Sequence, residues 1–199
     1  MRRSLLLWSI LAALYLGFRL WYDGGGGPLT PEEVAHYVGL LEERGTEPAR
    51  IEKLRAFLAS DTGSEFVMAN YIHLTERPEA QVELDRYMAH MYPELFRRAC
   101  HPVLAGPVVA EALDYWGIEN GERWSMVGLV RYRSRRDVME IATNPAFADA
   151  HQFKTAAMAQ TIAIPLEPFL MLGSPRWLVA GALVTLGALL QLAIGRRSP

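Results

Sequence analysis

Two long apolar runs, one at each end, constrain this chain more than any other feature. Leu5 to Tyr22 reads LLLWSILAALYLGFRLWY, with Arg19 its one charge, and Trp177 to Ile194 carries no charge over eighteen residues. Eighteen residues of helix span about 27 Å, close to the thickness of a hydrocarbon core. Both runs are therefore expected to cross a membrane. A cleaved signal peptide is the competing reading of the first, but the FRLWYD at its far end is bulky and aromatic where a cleavage site needs small residues. Arg19 is placed to snorkel to the interface, where Trp21 and Tyr22 would also sit. Arg2 and Arg3 precede the first run and Arg196 and Arg197 follow the second. The positive-inside rule then puts both termini in the cytoplasm and everything between them outside the inner (cell) membrane, opposed only by Arg19 and Arg176 on the domain side. Small residues, Ser9 and Ala13 in the first helix and Gly181 and Thr185 in the second, would let the two pack together.

Between these anchors the chain divides readily. Residues 1–22 are the first anchor and 23–29 a Gly-rich flexible tether containing Gly24 to Gly27 and Pro28. Residues 30–60 form a helical lead-in: Thr30 with Glu33 makes a capping box, Pro31 takes the first helical position and Gly45 stops the helix. A second helix over 47–59 follows. The domain proper is expected over 61–169, a connector over 170–176 and the second membrane helix over 177–195. Within the domain, Glu65 to Leu74 reads as a strand. Phe66, Met68, Ile72 and Leu74 share one face and Val67, Ala69 and Tyr71 the other, so neither parity suits water. Pro78 to Ala99 is helical, with Leu84, Tyr87, Met88, Met91, Leu95 and Ala99 on its core face. His101 to Trp116 reads as an edge strand interrupted at Gly106 and Pro107, with Asn120 and Gly121 in the turn after it. Trp124 to Arg133 is the next strand. Helices follow over Ser134 to Thr143, capped by Ser134 with Asp137, and over Pro145 to Ala159, and a last strand over Thr161 to Leu166.

Strand, helix, two strands, helices and strand is the split βαβ order of an α+β, ferredoxin-like fold, with the first and third strands central in an antiparallel sheet. One sheet face takes the helices. The other is apolar as well, which calls for a second copy of the chain packed on it. Three segments, RAFLASDTGSEFVMANYIHL (Arg55 to Leu74), GERWSMVGLVRYRSRRDVMEI (Gly121 to Ile141) and NPAFADAHQFKTAAM (Asn144 to Met158), resemble the dimeric α/β-barrel superfamily, and within it a widespread group of bacterial domains of unknown function. The resemblance implies a ferredoxin-like fold with pockets usually between sheet and helices. The superfamily also includes cofactor-independent monooxygenases, chlorite-dismutase-like haem proteins and muconolactone-type isomerases.

Candidate chemistry is sparse. His36, His73, His90, His101 and His151 show no i, i+4 pair and no His-x-His, so neither a metal nor another cofactor is expected. His73 shares a strand face with Tyr71, where a neutral imidazole could act as a base or orient a ligand; a hydrogen-bonded histidine near a strand end is the simpler reading. Asn70, on the opposite parity, must find an internal partner or a ligand. With Arg131 at the end of the central strand, expected near His73, these make the ligand-pocket candidates Asn70, Tyr71, His73 and Arg131. Arg133, Ser134, Arg135 and Arg136 crowd a strand-to-helix junction. They are candidates for an anion site, a lipid head group for example, against the alternative of a solvated rim neutralised by Asp137 and Glu140. Cys100 is the sole cysteine and is expected as a buried structural thiol. A net charge of -2 excludes an electrostatic nucleic-acid binder. Two functional classes remain: a pocket protein that binds or transforms a small apolar or aromatic molecule drawn from the bilayer, and a non-catalytic accessory subunit of a larger membrane complex.

Overall fold

The computed structural model describes residues 2–114, 116 and 123–196. Asn120, Gly121 and Arg197 lie outside the described residues. The chain forms two compact units, one of residues 25–167 and one of residues 1–24 with 168–199.

The larger unit begins with two helices, α2 (Pro31–Glu43) and α3 (Pro48–Ala59). Thr30 caps α2 as its sequence promises: its hydroxyl accepts from Glu33 N, and the Glu33 carboxylate accepts from Thr30 N. The sheet follows as β1 (Phe66–Leu74), β2 (His101–Pro107), β3 (Met126–Tyr132) and β4 (Met158–Leu166), with α4 (Ala80–Arg97) after β1 and α5 (Arg135–Thr143) and α6 (Pro145–Ala157) after β3. Strand order is β2-β3-β1-β4 and every pairing is antiparallel. This is the ferredoxin-like arrangement, with β1 and β3 central.

The largest differences from the sequence reading lie in β2 and β4. The strand expected to reach Trp116 stops at Pro107, whose missing N–H ends the ladder apart from one further bond, Val108 N to Ser125 O at 2.9 Å. β2 is an edge strand, but its irregularity lies between Pro102 and Leu104 and not at Gly106. β4 starts at Met158 rather than Thr161, because Leu74 pairs with Met158 across a bulge.

Alternation along the strands sorts the side chains. Phe66, Met68 and Leu74 of β1 and Met126, Val130 and Tyr132 of β3 pack with Leu84, Tyr87, Met91 and Leu95 of α4 and Ile141 of α5. A second cluster, Val34, Tyr37, Val38, Ile51 and Leu58 against Met139, docks the lead-in helices on the outside of α5. Phe57 joins both clusters and meets Phe66 edge-on at 5.3 Å. α4 ends in a Schellman motif: Cys100 N reaches Leu95 O at 2.9 Å and Ala99 N reaches Phe96 O at 3.1 Å. Ala99 occupies the left-handed position, φ 57°, that usually falls to glycine.

The glycine segment is not the free tether its composition predicts. Arg136 Nη1 donates to Gly25 O at 2.9 Å and to Gly27 O at 3.2 Å, and a side chain on Gly26 (φ +81°) would meet that guanidinium at 2.6 Å. Glycine is needed here for close approach as much as for freedom. Glu33 takes the rest of Arg136, at 2.8 and 3.0 Å. The Arg136 guanidinium and the cap N–H of Thr30 hold the Glu33 carboxyl down to about 2. A carboxyl depressed on folding adds stability above its unfolded value of about 4.3, and that stability is lost as pH falls toward 2. Limited proteolysis at the glycine segment should accordingly rise as pH is lowered through 4 to 3, and Arg136→Ala should bring the same opening at pH 7. Equal resistance of wild type and variant at pH 7 would refute the clamp. Because Glu33 lies at the surface, the effect shrinks in high salt.

The smaller unit is an antiparallel pair of helices, α1 (Arg2–Asp23) and α7 (Pro175–Arg196), each long and apolar enough to cross a membrane. Trp8 Nε1 donates to Gln191 Oε1 at 2.6 Å, and at the other end Asp23 accepts from Arg19 and from Arg176 Nε at 2.8 Å. The seam does not use the small residues expected of it. Ser9, Ala13, Gly181 and Thr185 are exposed, and a close contact falls instead at Gly187, where an added Cβ would lie 2.6 Å from the Trp8 ring and 2.8 Å from Leu11.

Candidate functional site

The open face of the sheet is the candidate site, and strand parity alone decides its lining. Val67, Ala69, Tyr71 and His73 of β1 lie opposite Arg131, Leu129 and Val127 of β3 and Leu166, Ile164, Ile162 and Gln160 of β4. Leu104 of β2 is 61% exposed and Ile164 49%. Four strands, seven paired residues long, present a face of roughly 19 by 24 Å. Its exposed apolar side chains lie on the β2 and β4 flanks, Leu104, Ile162, Ile164 and Leu166, while Val67, Ala69 and Arg131 between them are buried; exposed apolar surface of this kind marks an interaction or ligand surface.

Polar groups gather at one end of this face. Ser125, just before β3, donates its N–H to Ile72 O at 2.8 Å and accepts Leu74 N–H on its Oγ at 3.0 Å. Its hydroxyl then lies 3.4 Å from His73 Nδ1. Trp124 tilts against Tyr71 with centroids 5.8 Å apart. The bulge after His73 sits beside them, a device that re-aims side chains at strand ends. Val127 and Ile162 flank Tyr71 across the sheet. A histidine so held can orient a ligand or accept a proton.

Of the four pocket candidates, only Tyr71 and His73 come together. Asn70 points to the helix side, opposite Gly128, and its amide donates to Met68 O at 3.0 Å and Gly128 O at 3.2 Å. It has taken the internal hydrogen bond. Arg131 is not near His73: it pairs with Val67, six residues and about 20 Å along β1. There it is fully buried, with Glu65 and the carbonyl of Ala99 as partners. The expectation of proximity failed because it assumed a register that only the β1–β3 pairing sets.

The arginines of the junction are brought together but turned inward. Arg133 grips Asp137 with Nε at 2.9 Å and Nη2 at 2.7 Å, and Ser134 Oγ caps Asp137 N at 3.1 Å while donating to its carboxylate at 2.7 Å. Arg135 stacks on Phe57 at 4.5 Å, donates to Phe57 O and to Ser60 Oγ, and lies 3.5 Å from both Asp61 and Glu167. Arg136 holds the glycine segment. Ser134, Arg135 and Asp137 are buried, so this is neither a solvated rim nor a set of donors facing an incoming anion. Glu140 pairs with Arg98 instead. Trp124 and Ser125 carried no signal in the sequence that would single them out, since their role depends on a partner fifty residues away.

Among the described residues no group of three or more His, Cys, Asp or Glu side chains could hold a metal ion. No family model matches the sequence, and no curated protein matches it. Among solved structures, a protein of unknown function from Rhodopseudomonas palustris is 22% identical, with a TM-score of 0.51 over 60% of this chain and 93% of that one. The methylated form of that protein is 24% identical, with a TM-score of 0.52 over 62% of this chain and 93% of that one. Likeness at this level concerns the fold alone. A dimeric, ferredoxin-like protein of unknown function from Bacteroides fragilis is 14% identical over 54% of this chain and 99% of that one, and its TM-score of 0.35 carries no argument.

Proposed function

We propose that this chain is a membrane-anchored ferredoxin-like domain of the dimeric α/β-barrel kind, paired with a second copy through its open sheet face and binding or transforming a small apolar or aromatic molecule there. The observation that carries the reading is the polar group of Tyr71, His73 and Ser125 at one end of a sheet face whose β2 and β4 flanks carry the exposed apolar side chains Leu104, Ile162 and Ile164. A second such sheet laid against the first would remove the face from water and leave those groups in a low-dielectric seam, where each hydrogen bond to a ligand counts for more. Anchoring by α1 and α7, with both termini in the cytoplasm and the domain outside, would tie the domain to a membrane that can supply molecules dissolved in the bilayer. Arg19 and Arg176, which alone stand against that orientation, are both engaged by Asp23.

Full-length protein purified in mild detergent should crosslink as a dimer. Ile164→Asp, which sets like charges in the seam, should weaken that dimer on the order of 10²-fold. Native mass spectrometry should show a bound small molecule whose retention falls in His73→Ala. A reporter fused after Gly27 should be active outside the cytoplasm. Monomer alone, or ligand-free protein held at fixed stoichiometry with other membrane subunits, would sink the pocket reading and favour the accessory subunit.

A further inference from the structure

We infer that the connector between β4 and α7 is itself a membrane-contacting segment, lying flat at the boundary between lipid headgroups and acyl chains. The inference rests on the reading of α1 and α7 as membrane spans. Residues 169–172 read FLML, where an ordinary surface turn carries Gly, Pro, Asn, Asp or Ser throughout. Phe169 is 102% exposed, Leu170 67% and Leu172 82%. A turn at Leu172 and Gly173, φ +72°, follows, and the carbonyl of Ser174 accepts Trp177 N at 3.0 Å to open α7.

The occupant follows from what the segment adjoins. Leu172 precedes Pro175, the first residue of α7, by three positions, so it lies within about 10 Å of the start of an apolar span. Trp177 in the first turn of α7 is 73% exposed and Trp21 at the end of α1 48%; indoles at this position sit at the membrane interface. Arg176 stacks over Tyr22 at 4.9 Å and pairs with Asp23 at 2.7 Å. An ion pair with an aromatic beneath it suits the headgroup layer, where charge meets water on one side and hydrocarbon on the other. An exposed apolar tetrapeptide joined to that layer finds acyl chains before any other partner, because its covalent attachment keeps the bilayer at high effective concentration.

The test attaches an NBD fluorophore to cysteine at Phe169→Cys and, as a reference, at Val184→Cys in α7, in full-length protein reconstituted in phosphatidylcholine vesicles. Both positions are exposed, and Cys100 is buried, so labelling is confined to the new thiol. At 169 the emission should be blue-shifted and lose most of its intensity to lipids spin-labelled near the headgroup, with little loss to lipids labelled at the chain end. At 184 quenching should be strongest with the deep label. Water-like emission at 169 without quenching, beside a deeply quenched 184, overturns the inference while leaving the spans in place. A blue shift at 169 with no lipid quenching also overturns it, because protein then covers the segment. No quenching at either position removes the membrane reading together with the inference.

Discussion

Replacing Arg131 with methionine should lower the thermal midpoint of the full-length protein by roughly 6–13 °C, among the largest effects expected of a single substitution in the sheet. Arg131 has no exposed surface, and its guanidinium closes two long-range links at once. Nε and Nη2 each meet Glu65 Oε2 at 2.6 Å, and Nη1 meets Ala99 O at 2.7 Å. The first link ties β3 to the residue before β1, the second to the left-handed corner where α4 turns into β2. Methionine keeps the aliphatic stem but withdraws the guanidinium from the Glu65 carboxylate and the Ala99 carbonyl. Removing one partner of a buried ion pair costs about 3–5 kcal/mol, and a unit of this size loses roughly 2–4 °C per kcal/mol. Glu65 retains 22% side-chain exposure, so water relieves part of the loss and the lower half of that range is expected. The double variant Arg131→Met, Glu65→Leu removes the carboxylate as well and should recover stability relative to Arg131→Met alone. A shift below about 2 °C for Arg131→Met would show the pair to be dispensable.

Cys100 should resist thiol reagents in the native protein on the order of 10²-fold more than a free cysteine at pH 8, and react fully, one thiol per chain, once denaturant is added. Burial beside α4, the first cause, pushes the thiol up to about 11, against the smaller opposing effect of the Arg133 N–H on Sγ at 3.4 Å. From an ordinary value of about 8.5 this reduces the thiolate available at pH 8 by roughly that factor. Labelling must then wait for local opening. The sign of the linkage is fixed too. An acid raised by folding adds nothing unfavourable below its unfolded value, and it erodes stability as pH climbs from there toward 11. Tyr87, pushed up to about 12 by burial, acts in the same direction. Rapid stoichiometric labelling of folded protein would contradict both the burial and the role of Cys100 in the core.

Much of the fold was legible because its signals are local. Thr30 with Glu33 and Ser134 with Asp137 announce two helix starts within four residues each, and alternation in Phe66 to Leu74 marks a strand with two apolar faces. Capping and periodicity need only near neighbours in sequence. The candidate site was legible to a lesser degree. Parity put Tyr71 and His73 on one face and Asn70 on the other. Nothing local could reveal Ser125 against His73, or separate Arg131 from His73 by most of the length of β1, because register is set by pairing between segments some sixty residues apart. The arginine run misled for the same reason. Four polar residues in a row read as open donors until the acceptors, Asp61, Glu33 and the carbonyls of Phe57 and Gly25, are folded in from elsewhere.

By itself, then, the amino-acid order determined what each stretch becomes: apolar ends long enough to span a bilayer, capped helices, a strand with two apolar faces, and a ferredoxin-like succession of elements. Tertiary structure alone decided which groups meet. It set the β1–β3 register, turned the junction arginines inward, seated Gly25 to Gly27 against Arg136 and brought Trp8 to Gln191. Hydrophobic periodicity is repeated along a segment and survives in any fold that buries that face. A hydrogen bond or ion pair depends on two atoms within about 3 Å, and only the closed chain brings residues so far apart in sequence to that distance.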